Sequence, residues 1–263
     1  MNIFSLIIGV LAGLLISSLG VFVINRRLAL AADAFSHVAL PGVAVAILLG
    51  SNPILGALIA LLCGTLIIHF IQVKTKLFPE ILIGVIFSLS LAVGLLLLPE
   101  GDLESALLGD LATINFQDFI LGIILSLLLL VILLVYFRRF TFVTFSETLA
   151  QVSGAKVNHI NLVLLLALTL AVALGLKVAG TLLVGSLLIV PPATAQLGAK
   201  NFKTLFIASA FYGVAAVVGG AVASGLLNFP PGPLIILFEG LFFLSNFALF
   251  KKVKLFAASR QAS

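Results

Sequence analysis

Two ionisable residues inside one apolar run, Asp33 and His37, stand four positions apart. In the stretch Ala32-Asp33-Ala34-Phe35-Ser36-His37-Val38-Ala39-Leu40-Pro41-Gly42, helical geometry stacks the carboxylate and the imidazole on one face, with Ser36 beside them. Such a pair can share a divalent cation, and its oxygen and nitrogen ligands suit Zn²⁺, Mn²⁺ or Fe²⁺ better than Cu⁺, which prefers sulfur. A plainer reading is an Asp–His hydrogen bond that fixes helix packing, and the spacing leaves both open. Counted from Arg27, the two residues lie about 10 and 15 Å along a helix rising about 1.5 Å per residue. That depth is inside a hydrocarbon layer about 30 Å thick. A carboxylate there costs about 2.5–3.5 kcal/mol, so it should face the bundle interior or an aqueous cavity. Glu239, within Ile235–Leu241, is either a protonated structural glutamate or a further pathway ligand. His69 falls near the end of its run and reads as interfacial.

The elements that must position these residues are membrane helices. Of 263 residues, 62% are hydrophobic and 9% charged, whereas a soluble domain needs about a quarter charged. Apolar runs fall at 4–24, 28–50, 53–72, 81–98, 118–137, 160–176, 179–198, 204–226 and 233–250. They lack the short alternation of a lipid-exposed barrel. The expected fold is therefore all-α, a single polytopic transmembrane domain over 1–263 with about nine spans, or eight if one run is re-entrant. The N-terminus lacks a basic n-region, so residues from Phe4 read as a retained span.

Charge supplies the orientation. With nine spans and the Arg138–His159 loop inside, the cytoplasmic side holds 13 of the 14 basic residues and only Lys177 lies outside. This is the partition of a protein with its N-terminus outside and C-terminus inside. The net charge of +5 thus reports topology and calls for no nucleic acid. Glu100, Asp102, Glu104, Asp110 and Asp118 read as a solvated outer loop, or more sharply as an acidic vestibule that gathers cations. The single cysteine, Cys63, excludes a disulfide framework and a thiolate metal cluster. Tyr occurs only at 136 and 212 and Trp is absent, leaving Phe to form any aromatic belt.

Breaks in the runs mark candidate working parts. Pro191-Pro192 removes two backbone donors and is expected to interrupt its span, as transport pathways and their gates often do. Pro230-Pro231-Gly232-Pro233 is expected to make a rigid outer turn. Gly9 and Gly13 allow close helix contact. Between Thr144 and Gly154 the spacing of Thr144 and Glu147 predicts a capping box, with Gly154 ending a short cytoplasmic helix. That helix, carrying Phe145, Leu149 and Val152, could dock a soluble partner or rest on lipid.

Enzymatic readings fail for lack of motifs. The chain holds no HExxH and no GxxxxGK[ST] phosphate loop. Leu107-Leu108-Gly109-Asp110 lacks the first glycine of a GxGD protease.

Taken in order, four stretches resemble the permeases of zinc, manganese and iron ATP-binding-cassette importers. They are Arg26–Leu30 running into Asp33–Gly42, the Phe145–Gly154 loop, Leu108-Gly109-Asp110-Leu111, and Val178–Val184 through Pro191–Ala195 with the Pro231–Pro233 turn. Ala32 stands where the family usually has Gly, and Ser146 where it usually has Asp. The resemblance implies an ATP-driven importer of divalent metal ions in a prokaryotic plasma (inner) membrane. It implies a permease dimer, two cytoplasmic ATPase subunits, an extracytoplasmic metal-binding protein and no bound cofactor. It also implies that the Phe145–Gly154 helix, through Phe145, Ser146, Glu147, Leu149, Ala150 and Gly154, docks into the ATPase. An ion-coupled carrier using Asp33 and His37 as a proton relay is the alternative, and a non-transporting membrane scaffold is a third reading.

Overall fold

A computed structural model of the chain describes residues 3–75, 77–97, 116–179 and 181–261; the side chains of 30–32, 177–183 and 250–261 lie outside that description. Every regular element among the described residues is a helix. In chain order these are α1 (Ile3–Asn25), α2 (Ala29–Val38), α3 (Leu40–Leu48), α4 (Pro53–Thr75), α5 (Pro79–Leu97), α6 (Phe116–Phe145), α7 (Glu147–Val152), α8 (Val157–Ala179), α9 (Thr181–Gly198), α10 (Phe202–Leu227) and α11 (Pro231–Gln261).

Among the described residues seven helices, α1, α4, α5, α6, α8, α10 and α11, are long and apolar enough to cross a bilayer. The remaining two apolar runs take another form. The run over 28–50 divides at Ala39, because Pro41 has no N–H for the carbonyl of His37 and starts a new helix. The run over 179–198 holds α9, Thr181–Gly198, 18 residues long.

The α1 helix is the hub. Of its most apolar window 72% is buried, against 17% for α5 and for α11, which present most of their surface outward. One face explains this: Gly9, Gly13, Ser17 and Gly20 recur at helical spacing. A methyl group on Gly13 would stand 2.8 Å from the carbonyl oxygen of Gly213, and one on Gly20 would overlap the carbonyl of Leu188. So α1 meets α10 and α9 backbone to backbone, as the Gly9/Gly13 spacing predicts.

Several expectations are corrected. Pro191-Pro192 does not interrupt its helix; α9 runs through both prolines. The prolines free the carbonyls of Leu187 and Leu188: Ser17 Oγ of α1 donates to Leu187 O at 3.2 Å, and Leu188 O lies against Gly20 of α1. Neighbouring helices satisfying a proline's orphan acceptors is what lets proline stay inside membrane helices. Pro231-Gly232-Pro233 is the first turn of α11 rather than a loop, since proline is pre-formed for a helix start, where its missing N–H costs nothing. The reversal before it is made by Asn228, left-handed at φ 56°. Asp118 is not a solvated loop residue. It sits in the first turn of α6, 6% exposed, and accepts a 3.4 Å bond from Asn52 Nδ2. The rest of the acidic cluster (Glu100, Asp102, Glu104, Asp110) and the Leu108–Leu111 motif lie outside the described residues.

Candidate metal pathway and coupling surface

The metal-ligand candidates sit on α2, which packs against α9 and α5. Close approach to α9 depends on Gly185. A methyl there would stand 3.0 Å from Asp33 Oδ1 and 3.3 Å from Asp33 Cα. Asp33 itself is exposed on the protomer, and His37 is half-buried. The imidazole lies edge-on to Phe87 of α5, with ring centroids 5.4 Å apart. Its Nδ1 is enclosed and has no hydrogen-bond partner. No Asp33–His37 hydrogen bond forms, so both groups keep ligand capacity. Ser36 is wholly buried and donates its hydroxyl to Asp33 O at 2.6 Å, so its proton is spent on its own helix. Among the described residues no three His, Cys, Asp or Glu side chains gather within the protomer.

Glu239 is 1% exposed on α11 and neither oxygen makes a hydrogen bond of ordinary geometry. The polar side chain that approaches it is Ser186 of α9. The adjacent Gly185-Ser186 pair of α9 thus serves Asp33 with one residue and Glu239 with the next. Sequence reasoning missed this pair. Its signal was a glycine and a serine side by side within an apolar helix.

The candidate coupling surface is built on α7. Ser146, not Thr144, is the cap: its Oγ accepts from Leu149 N at 3.2 Å. The correction follows from α6, which stays helical through Phe145 and leaves Thr144 Oγ1 buried and unbonded. The other end is as expected. Gly154 is left-handed at φ 79°, and Gly154 N→Gln151 O and Ala155 N→Ala150 O, both 3.0 Å, close the helix in the two-bond pattern glycine favours. Ala150 is buried and anchors α7, while Leu149 (61% exposed) and Val152 (83%) are exposed, as is Phe145 (71%), whose ring lies 5.6 Å from that of Phe202. Beside α7 lies a cleft of about 750 Å³, walled by Arg26, Gln72, Glu80, Glu147 and Asn161 among others.

Comparison with known proteins gives one answer. The model of the ABC 3 transport family matches residues 2–250. The manganese import system permease protein ScaB of Streptococcus gordonii is 34% identical over 252 residues, 94% of this chain and 89% of that one. The high-affinity zinc uptake system membrane protein ZnuB of Haemophilus influenzae is 31% identical over 256 residues, 95% and 97% of the two chains. Among solved structures, PsaBC from Streptococcus pneumoniae in complex with Fab superposes with a TM-score of 0.82 at 30% identity, covering 94% of this chain and 92% of that one. The match runs through the α2 stretch, α7 and α9 alike, and on that footing the chain belongs to the ABC 3 transport family.

Proposed function

We infer that the chain is the membrane-spanning permease subunit of an ATP-driven importer of divalent metal ions. The family and the manganese- and zinc-transport relatives support that reading. ATP hydrolysis belongs to separate cytoplasmic subunits that engage the exposed Phe145, Leu149 and Val152 around α7. An extracytoplasmic metal-binding protein delivers the ion at the other side. In this reading the chain crosses a plasma membrane nine times, with the α2–α3 pair and α9 completing the seven long helices. Its N-terminus is outside and its C-terminus inside, in keeping with the placement of the basic residues.

One observation carries the pathway assignment. Asp33 is exposed on the protomer although it lies in an apolar stretch at hydrocarbon depth, where a carboxylate facing lipid is costly. It must therefore face an aqueous path or a second copy of the chain. His37, one turn on, offers an enclosed, unbonded Nδ1. Two protomers related by a two-fold axis would bring two Asp33 and two His37 side chains to one ion. Leu187 O is a poor candidate for completing the shell, because it already accepts from Ser17 Oγ of α1.

The test is metal uptake per assembled complex. Asp33→Asn, which keeps shape but removes charge, and His37→Ala should each abolish uptake while the permease still co-purifies with its ATPase. Near-normal uptake by either assembled variant would end the ligand assignment. Uptake that survives loss of the ATPase would instead restore the ion-coupled carrier.

A further inference from the structure

At the cytoplasmic end of α1 the chain reverses through Arg26, Arg27 and Leu28 into the helix that carries Asp33 and His37. The reversal is closed by Arg27 N→Ile24 O and Leu28 N→Val23 O, both 2.9 Å. This two-bond pattern places the residue after the C-cap in the left-handed region, usually as glycine. Here that residue is Arg27, at φ 60°, a conformation that side-chain-bearing residues adopt rarely. Leu28 is buried and pins the start of α2.

Arg26 turns the other way, into the protein. Its Nη2 donates to Asn161 Oδ1 of α8 at 2.8 Å. Asn161 Nδ2 in turn reaches Glu147 Oε1, the first residue of α7, at 3.5 Å. Burial lowers the Arg26 guanidinium from its ordinary range, and the charge of Glu147 opposes that fall. All three side chains line the same cytoplasmic cleft. Arg26 is thus covalently adjacent to a strained reversal on one side and tied by polar contacts to the outward-facing helix α7 on the other.

We propose that the Arg26–Asn161–Glu147 chain is the positioning link by which a displacement of α7 reaches the α1–α2 reversal and hence the Asp33 helix. The inference rests on the importer reading, in which α7 meets the ATPase and α2 lines the metal path. It goes further by naming the residues between the two. A left-handed arginine is a poor place to absorb arbitrary motion but a good place to set one angle between helices. A push on Glu147 that draws Arg26 changes that angle directly. Asn161 contributes an acceptor to one partner and a donor to the other, which a side chain of similar size without both cannot do.

The experiment uses the intact importer in vesicles, with Mn²⁺ and Zn²⁺ supplied in turn, and reads three quantities: ATPase bound per permease, ATP turnover, and ion taken up per ATP hydrolysed. Asn161→Leu keeps volume and removes both hydrogen bonds. The expected result is normal ATPase association and ATP turnover, with ion uptake per ATP down about tenfold. Arg26→Lys keeps the charge but loses the planar fork. It should uncouple in the same direction, and it serves if Asn161→Leu does not fold. Unchanged uptake per ATP in the assembled variants overturns the proposal. So does a loss of uptake that only tracks loss of bound ATPase, because Asn161 would then serve docking or stability alone. Failure of the importer reading looks different: the wild-type chain would show no ATPase-dependent uptake at all.

Discussion

Ser17→Ala tests how the bundle tolerates two consecutive prolines in α9. In an unbroken helix, Leu187 O accepts from the N–H of residue 191, but that residue is Pro191. Ser17 Oγ takes its place at 3.2 Å, between two residues that are wholly buried. Removing the hydroxyl strands an enclosed carbonyl, a loss of about 1–3 kcal/mol in proteins generally. Hydrogen bonds between membrane helices average about 0.6 kcal/mol and reach about 1.7. The 3.2 Å separation is long for a hydroxyl donor, so we expect a loss of about 1 kcal/mol. In a Pro191→Ala background, residue 191 regains its N–H and Leu187 O an internal partner, so the same Ser17→Ala change should cost little. The coupling between the two substitutions is then about 1 kcal/mol, well outside the 0.3–0.5 kcal/mol within which independent sites add. The backbone oxygen of Ser17, which accepts from Ser209 Oγ at 2.7 Å, is untouched by either change. Reversible unfolding in mixed micelles for the wild type, both single variants and the double variant gives the cycle. Additive losses would refute the argument that Ser17 stands in for the missing proline donor.

Other outcomes follow from single features. Gly42 of α3 and Gly56 of α4 each lie against the other's carbonyl, with no room for a methyl group; Gly42→Ala should cost about 1–3 kcal/mol. Gly84→Ala, which meets nothing within 4 Å, should be neutral or stabilising by up to about 1 kcal/mol, and equal effects in a thermal-stability assay would contradict both. Single cysteines at Ser51 and Ser153, both exposed, in a Cys63→Ser background should react with an impermeant maleimide from opposite sides of the membrane; reaction from one side would sink the nine-crossing topology. Glu147→Arg with Leu149→Asp should weaken ATPase association, and a complex with normal metal-stimulated ATP turnover would rule out docking through α7.

The parts of the fold legible in the sequence were those set by composition and local rules. Apolar runs located the helices, Gly9 and Gly13 predicted close packing, and Gly154 predicted the end of α7, because a left-handed cap is a property of one residue. The misreadings share a physical cause: a local signal was overruled by a partner far along the chain. Pro191-Pro192 reads as a break only while Leu187 O and Leu188 O lack acceptable surroundings, and those come from Ser17 and Gly20, some 170 residues away. Asp118 reads as solvated until Asn52, in the turn between α3 and α4, approaches it. Thr144 lost its capping role to Ser146 because α6 carries its helix two residues further than the spacing suggested. At the site, the Asp33–His37 spacing was visible, but the closeness of Gly185 to Asp33 required tertiary contact.

In the proposed importer, the exposure of Asp33 offers a reason for two copies of the chain to share one ion. A protomer alone presents one carboxylate and one imidazole, too few donors to strip a divalent ion of its water. Two protomers in symmetric contact would assemble four, but with two carboxylates facing each other, and like charges at short range oppose closure. A divalent cation between them reverses the sign of that interaction, so the assembled site favours its own occupancy when ion is present and favours opening when it has gone. Weak ligation of this kind suits passage, because the ion must leave as readily as it arrives. On this view the short helix α2, set between the left-handed Arg27 and the start of α3 at Leu40, carries the carboxylate, while the glycine and serine face of α1 holds α9 and α10.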